Sequence, residues 1–292
     1  MSEPVAFGDR LAAAFAAYGR LCVGIDPHAQ LLESWGLPDS GEGVREFGLR
    51  VVDAAAGQIG IVKPQVSFYE RHGAAGYAAL ERVFAEARDA GLIVIADAKR
   101  GDIGSTLAGY ADAWLRPGST LEADALTLNP YQGLATLAPV MERAAAVGKG
   151  VFVLAATSNP ESGPVQTAEL RQSSRAGRTI ASAMVDGVDA WNRARPDAST
   201  RTLGDAGVVI GATVDLRAVG IDPDAYGETP GLPVLAPGFG HQGGDPAQLG
   251  ELFGRLAAGA IVNESRSVLA AGPDEIGEAV RRRAGEVGSL GV

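Results

Sequence analysis

Eight short apolar runs recur along this chain: LCVGI (21–25), IGIVK (59–63), LIVIAD (92–97), ADALTL (123–128), GVFVLA (150–155), GVVIGA (207–212), PVLAP (233–237) and AIVN (260–263). Their length and their Val, Ile and Leu content predict strands. Longer segments such as GVREFGLRVVDAAAG and GYAALERVFAEARDAG lie between them. These carry apolar residues at three- and four-residue spacing with glycine near the end, the pattern of amphipathic helices. About eight strands alternating with helices over 292 residues predict an α/β fold, a closed (β/α)8 TIM barrel, as one domain over 1–292. An open doubly wound sheet would alternate in the same way.

The interval 156–206 is longer than a barrel connection requires, and its RAGRTIASAMVDGVDAWNRARPDAST portion has helical periodicity. Extra helix inserted after the fifth strand is therefore expected there, not a second domain. The small, polar tail at 284–292 is expected to fray. No internal repeat or low-complexity segment stands out.

Composition narrows the function classes. The chain is 46% hydrophobic and 21% charged, ordinary for a globular protein, and no apolar run approaches the roughly 20 residues that span a bilayer. The opening MSEPVAFGDRLAAAFAAYG has acids at Glu3 and Asp9 and no basic leader, so it does not read as a signal peptide. The single cysteine, Cys22, excludes an internal disulfide framework and reads as a buried thiol. A cytoplasmic location is the expectation. A formal charge of −10 argues against non-specific nucleic-acid binding, yet local cations can still hold a small anion. Of the 25 basic residues only 63, 99 and 149 are lysine, and 25 − 3 leaves 22 arginines. Two of those lysines end apolar strands. Lysine, unlike arginine, can give up a proton.

Reacting groups in such barrels come from the C-terminal ends of the strands. Here the first strand ends at Asp26, the second at Lys63, and the third at Asp97 and Lys99. The fifth runs into Thr157-Ser158, the seventh into Pro237-Gly238, and the eighth into Glu264-Ser265-Arg266. An extended backbone would point Asp97 and Lys99, two apart, to the same side. Opposite charges ~4 Å apart attract by about 4 kcal/mol at an effective dielectric of 20, which offsets desolvation and favours a charged lysine. The array is either a proton-donating site or an ion-pair network capping the barrel. Asp102, past Gly101, reads from spacing as a cap on the following helix.

Loops after the seventh and eighth strands commonly hold phosphate. PGFGHQGGD supplies glycines and Gln242, and Arg266 supplies a planar fork. GFGHQG also fits the dinucleotide fingerprint G-x-G-x-x-G, but a Rossmann unit needs further strands and only about fifty residues follow. His28, His72 and His241 lack metal-ligand spacing, no cysteine–histidine cluster suggests zinc, and no G-x-S-x-G elbow suggests a serine hydrolase. Trp35, Trp114 and Trp191 read as packing residues.

The motifs resemble those of the orotidine 5′-phosphate decarboxylases, especially the longer bacterial subfamily. DAKRGDIGST is similar to that family's Asp-x-Lys-x-x-Asp signature. VGIDP, VKPQVSFYE, TSNP, PGFGHQGG and VNESR follow in the family's order over nearly the whole chain. The resemblance implies a cofactor-free decarboxylation of orotidine 5′-monophosphate to UMP, the last step of UMP synthesis. It implies that Lys99 donates a proton to C6, that Asp97 lies against the leaving carboxylate, and that Lys63 and Asp26 contact the ribose. Ser158 and Gln242 would engage the pyrimidine. Arg266, with backbone near Gly240 and Ser265, would take the phosphate, and Pro237 would belong to the substrate-binding rim. The resemblance also implies a homodimer in which Asp102, with Ile103 and Thr106, completes the neighbouring subunit's pocket, in place of the cap. Two rivals carry the same motifs: a magnesium-dependent sugar-phosphate decarboxylase or aldolase barrel, and a non-catalytic UMP-binding barrel.

Overall fold

In the computed structural model, which describes residues 4–172 and 174–289, eight parallel strands close on themselves. They are β1 (Leu21–Ile25), β2 (Ile61–Pro64), β3 (Ile93–Arg100), β4 (Ala125–Leu128), β5 (Gly150–Ala156), β6 (Ala206–Ile210), β7 (Val234–Pro237) and β8 (Ala260–Glu264). Each pairs with the next, and β1 pairs with β8 through Leu21–Val262, Cys22–Asn263 and Val23–Glu264. The expected barrel is therefore the observed one, and the open sheet is excluded.

Two apolar regions divide the strand side chains by face. Cys22, Ile61, Ile95, Phe152, Leu235 and Ile261 fill the barrel's interior, while their sequence neighbours Val23, Val62, Val94, Val151, Ala236 and Val262 pack outward on the helices. That two-residue period is the pleat of the strand. The lower mouth is plugged by helix Phe7–Tyr18, whose Phe7 and Leu11 join the interior cluster. Phe7 meets Phe152 edge-on at 6.0 Å between ring centroids. Position 150 must be glycine, because a Cβ there would stand 2.3 Å from the Phe7 ring.

Between β5 and β6 the longer helix, Ile180–Arg193, buries Ala181, Val185 and Val188 in the outer core and is the barrel's own helix. The added structure precedes it, as short helical turns over Pro160–Ser162 and Gly163–Gln166 and a bridge from Glu169 to Thr179. The expectation of a fraying tail is corrected for 284–288, which complete helix Ile276–Gly288 because Val287 is buried in the core. Residues 290–292 of that tail, and Glu3 of the opening segment, lie outside the described residues. No helix among the described residues is long and apolar enough to cross a membrane.

The third lysine lies at the end of the barrel opposite the strand C-termini. Lys149, buried just ahead of β5, reaches Glu122 Oε1 at 2.8 Å and Asp124 Oδ1 at 3.1 Å. Asp124 also pairs with Arg10 and accepts the Val94 N–H at 2.9 Å. Burial pushes the Asp124 carboxyl up, but Lys149 and Arg10 outweigh it and hold the group below the usual range. Asp124→Ala leaves the buried Lys149 ammonium with Glu122 alone and takes the acceptor from Arg10 and from the Val94 N–H, and is expected to cost about 1–3 kcal/mol, read by urea denaturation. The folded fraction should keep its ligand affinity, since the change is at the far mouth; a cost under about 1 kcal/mol would show the network to be incidental.

Candidate active site

At the C-terminal mouth the interior face turns from apolar to polar within one residue layer. Above Ile61 comes Lys63, above Ile95 comes Asp97, and above Ile261 comes Asn263, all buried. Asp26, His28, Gln65, Lys99, Gln242 and Arg266 continue upward around a cavity of about 350 Å³. Leu154, Val209 and Leu235 supply an apolar side to the same cavity.

Asp97 is the centre of the charge array. Its Oδ2 accepts from Lys63 Nζ at 2.8 Å, and its Oδ1 accepts from Lys99 Nζ at 2.6 Å and from Thr127 Oγ1 at 3.1 Å. Burial disfavours the carboxylate, yet Lys63 and Lys99 outweigh it and bring the Asp97 pKa down to about 2. Burial likewise disfavours the Lys63 ammonium, and Asp97 with Asp26 outweigh it, so its pKa rises above the ordinary lysine value. The signs agree. Asp97, depressed, contributes stability above its unfolded value and loses it as pH falls toward about 2; Lys63, raised, contributes below its unfolded value and loses it only in strong alkali. Both groups stay charged across the neutral range.

The four charges of DAKRGD separate. Asp97 and Lys99 face the cavity, whereas Arg100 turns outward to Glu70 and over the rings of Tyr110 and Trp114. That alternation, 97 and 99 on one side and 100 on the other, is the pleat of the strand, but the backbone departs from regular geometry at residue 99. Lys99 has φ +48°, the left-handed region, and is the one non-glycine residue so placed among the described residues. The β3–β4 register shifts between Ala96 and Arg100 at the same point. The predicted juxtaposition of Asp97 and Lys99 is present, and a register shift and a left-handed residue accompany it. Such a conformation costs of order 1 kcal/mol and persists where surroundings hold it.

On the ribose side of the sequence reading, Asp26 Oδ2 accepts from Ser265 Oγ at 2.6 Å, and its Oδ1 is buried without a protein partner. The tight β1–β8 approach helps, since a Cβ on Gly24 would lie 2.9 Å from Ser265 Cβ. On the phosphate side Arg266 Nη1 lies 3.1 Å from His241 Nε2. Pro237, Gly238, His241 and Gln242 line the cavity, and Gly240 opens their 3-10 turn at φ +71°.

Four sequence-predicted side chains, those of Asp102, Ile103, Thr106 and Ser158, are not among the ones lining this chain's own cavity. Asp102 accepts the Ile103 N–H at 2.8 Å, and helix Gly104–Trp114 begins without a side-chain cap, so the capping role is absent. Ile103 is 58% exposed, and Thr106 is exposed beside it. After β5 the lining residue is Thr157; Ser158 is exposed, next to Gly211. Thr157, and not Ser158, therefore lines the cavity in this conformation.

Sequence reasoning missed Thr127, Asn263 and Gln65, and named Ser265 for its backbone alone. Gln65 donates to the Asp97 carbonyl at 3.2 Å, and the Asn263 Oδ1 is buried without a partner. Thr127 and Asn263 had a readable signal: each is the lone polar residue on the inward face near the end of an apolar strand. Cys22 lies beneath the site, and burial pushes its thiol up to about 12, so it is inert. Among the described residues no group of three or more His, Cys, Asp or Glu is placed to hold a metal ion.

Comparison with known proteins agrees with this geometry. Residues 19–281 match the family model described as orotidine 5′-phosphate decarboxylase / HUMPS family. The orotidine 5′-phosphate decarboxylase of Corynebacterium glutamicum (strain R) is 48% identical over 268 residues, covering 92% of each chain. That of Salinispora tropica is 46% identical over 275 residues, again 92% of each. Among solved structures, a Streptomyces avermitilis protein described as a candidate orotidine 5′-phosphate decarboxylase matches at TM-score 0.88 and 44% identity, covering 98% of this chain and 96% of that one. The OMP decarboxylase of Leishmania donovani matches at TM-score 0.74 and 27% identity, covering 98% and 99%. A lysine–aspartate–lysine array at the mouth of a closed barrel, ringed by family motifs in order, thus has relatives along nearly its full length, and the chain belongs to the orotidine 5′-phosphate decarboxylase / HUMPS family.

Proposed function

We infer that this chain decarboxylates orotidine 5′-monophosphate to UMP and carbon dioxide, the last step of UMP synthesis. The observation that carries the reading is the Lys63–Asp97–Lys99 chain of ion pairs, with one lysine buried and the other reaching into the cavity. Ordinary binding of a nucleotide gives no reason to hold Lys99 in a strained backbone beside a buried acid. A transition state that develops negative charge beside the cavity's apolar side does, because fixed charges there need no reorganisation as the reaction proceeds.

In this reading the phosphate sits on Arg266 and the turn around Gly240, and the ribose hydroxyls meet the free Asp26 Oδ1 and Lys63. Gln242 and the residues after β5 take the pyrimidine edge, and Asp97 faces the C6 carboxylate. When the C6–carboxyl bond breaks, carbon dioxide leaves and the electron pair remains on C6. The Lys99 ammonium stabilises that charge and passes one proton to C6, giving UMP; the neutral amine then regains a proton from water. Binding energy from the phosphate, which does not react, offsets the cost of ordering and desolvating the ring.

The reading includes a homodimer in the cytoplasm. Asp102, Ile103 and Thr106 do not line their own cavity; they sit on the turn and helix start that follow Lys99, and Ile103 offers an exposed apolar side chain. Tyr131, 87% exposed in the next loop of the rim, adds to that apolar surface. A two-fold partner packed there would bring its own Asp102 to this cavity.

Purified protein treated with EDTA is expected to consume orotidine monophosphate at an undiminished rate, followed by the fall in its absorbance. Loss of turnover that returns with magnesium would favour the metal-dependent sugar-phosphate rival. Tight UMP binding without any turnover would favour the non-catalytic barrel.

A further inference from the structure

The Lys99 conformation raises the question of what holds it. One side chain touches both halves of the problem. Thr127, buried on the inward face of β4, accepts the Lys99 backbone N–H on Oγ1 at 2.8 Å. The same hydroxyl donates to Asp97 Oδ1 at 3.1 Å, the very oxygen that receives the Lys99 ammonium. It thus links the strained backbone of residue 99 to the carboxylate that fixes the amine at its tip. The link falls where the β3–β4 register shifts, the stretch in which the regular ladder is interrupted.

We propose that Thr127 is a positioning residue for the reaction: its hydroxyl holds the left-handed turn at Lys99 and the rotamer of Asp97, and so sets where the ammonium lies over the cavity. The proposal rests on the reading of Lys99 as the proton donor. Thr127 itself is not among the residues that line the cavity, so it acts through Lys99 and Asp97 and not on the substrate. A misplacement of the amine by about 1 Å is enough to lower the rate by roughly 10²-fold.

The informative substitution is Thr127→Val, which keeps the β-branched shape and replaces the hydroxyl with a methyl group. Its kcat is expected to fall roughly 10²-fold, with KM and the Kd for UMP within about twofold of the parent. Thr127→Ser, which keeps the donor and acceptor, should recover kcat to within about threefold. If Thr127→Val does not fold, Thr127→Ala is judged by the same criteria. The proposal is overturned if the hydroxyl-free variant keeps kcat within about threefold of the parent, if serine fails to restore it, or if the loss appears in KM alone. Lys99→Ala is measured in parallel. Should that variant retain substantial turnover, the proton-donor reading falls and the positioning role with it; should it be inactive while Thr127→Val is fully active, only the positioning role falls.

Discussion

Lys99→Ala lowers turnover of orotidine monophosphate by roughly 10⁴-fold or more while the barrel stays folded and UMP still binds. The size follows from two losses at one atom. A fixed charge aimed at the developing carbanion contributes about 10²–10³, and a positioned proton donor contributes about 10²–10⁴. The fold survives because the Lys99 side chain is 46% exposed to the cavity, and Asp97 keeps its bonds from Lys63 and Thr127. Truncation therefore strands no buried charge. The absorbance assay, a thermal melt and UMP calorimetry separate the outcomes. Turnover above about one part in a hundred would reassign the proton donor, since no single remaining group supplies both effects.

The contrast with Lys63 sharpens the assignment. Lys63 is buried beneath Asp97 and raised in pKa by the two aspartates, so it is a standing counter-charge with no free proton to spare near neutrality. It keeps Asp97 ionised against burial, and Asp97 in turn fixes Lys99. The three groups work as a graded series, from structural support at the floor to chemistry at the surface of the cavity.

Much of this was legible in the residues themselves. Eight apolar runs matched eight strands, because buried parallel strands have nowhere to place polar side chains except at their ends. Polar residues at those ends, Asp26, Lys63, Asp97 and Lys99, therefore marked the rim. What escaped was set by backbone geometry that no residue type announces. Lys99 in the left-handed region looks from sequence like any strand residue, and the register shift beside it leaves no mark in residue types. Thr127 is hydrogen-bonded to Lys99, 28 positions earlier, and to Asp97, 30 positions earlier, which strand periodicity alone cannot reveal. Helix 180–193 looked like an insertion, because its length of connection hid the fact that it packs on the barrel as an ordinary member.

The role of Asp102 depends on a second copy of the chain, and that makes it testable by mixing. Asp102→Ala alone is expected to be nearly inactive, because each cavity loses the carboxylate that its neighbour would bring; Lys99→Ala is inactive for the reason above. If each cavity combines Lys99 of one subunit with Asp102 of the other, a mixed dimer of the two variants contains one intact cavity and one doubly altered cavity. Equal mixing with free subunit exchange places half the chains in mixed dimers with one working cavity of two, so about a quarter of parental activity returns. If Asp102 served its own chain, no arrangement of the two variants would rebuild an intact cavity, and mixing would restore nothing. The exposed Ile103 beside Asp102 favours the first outcome, since an apolar side chain at that rim gains from being covered by the partner that receives the carboxylate.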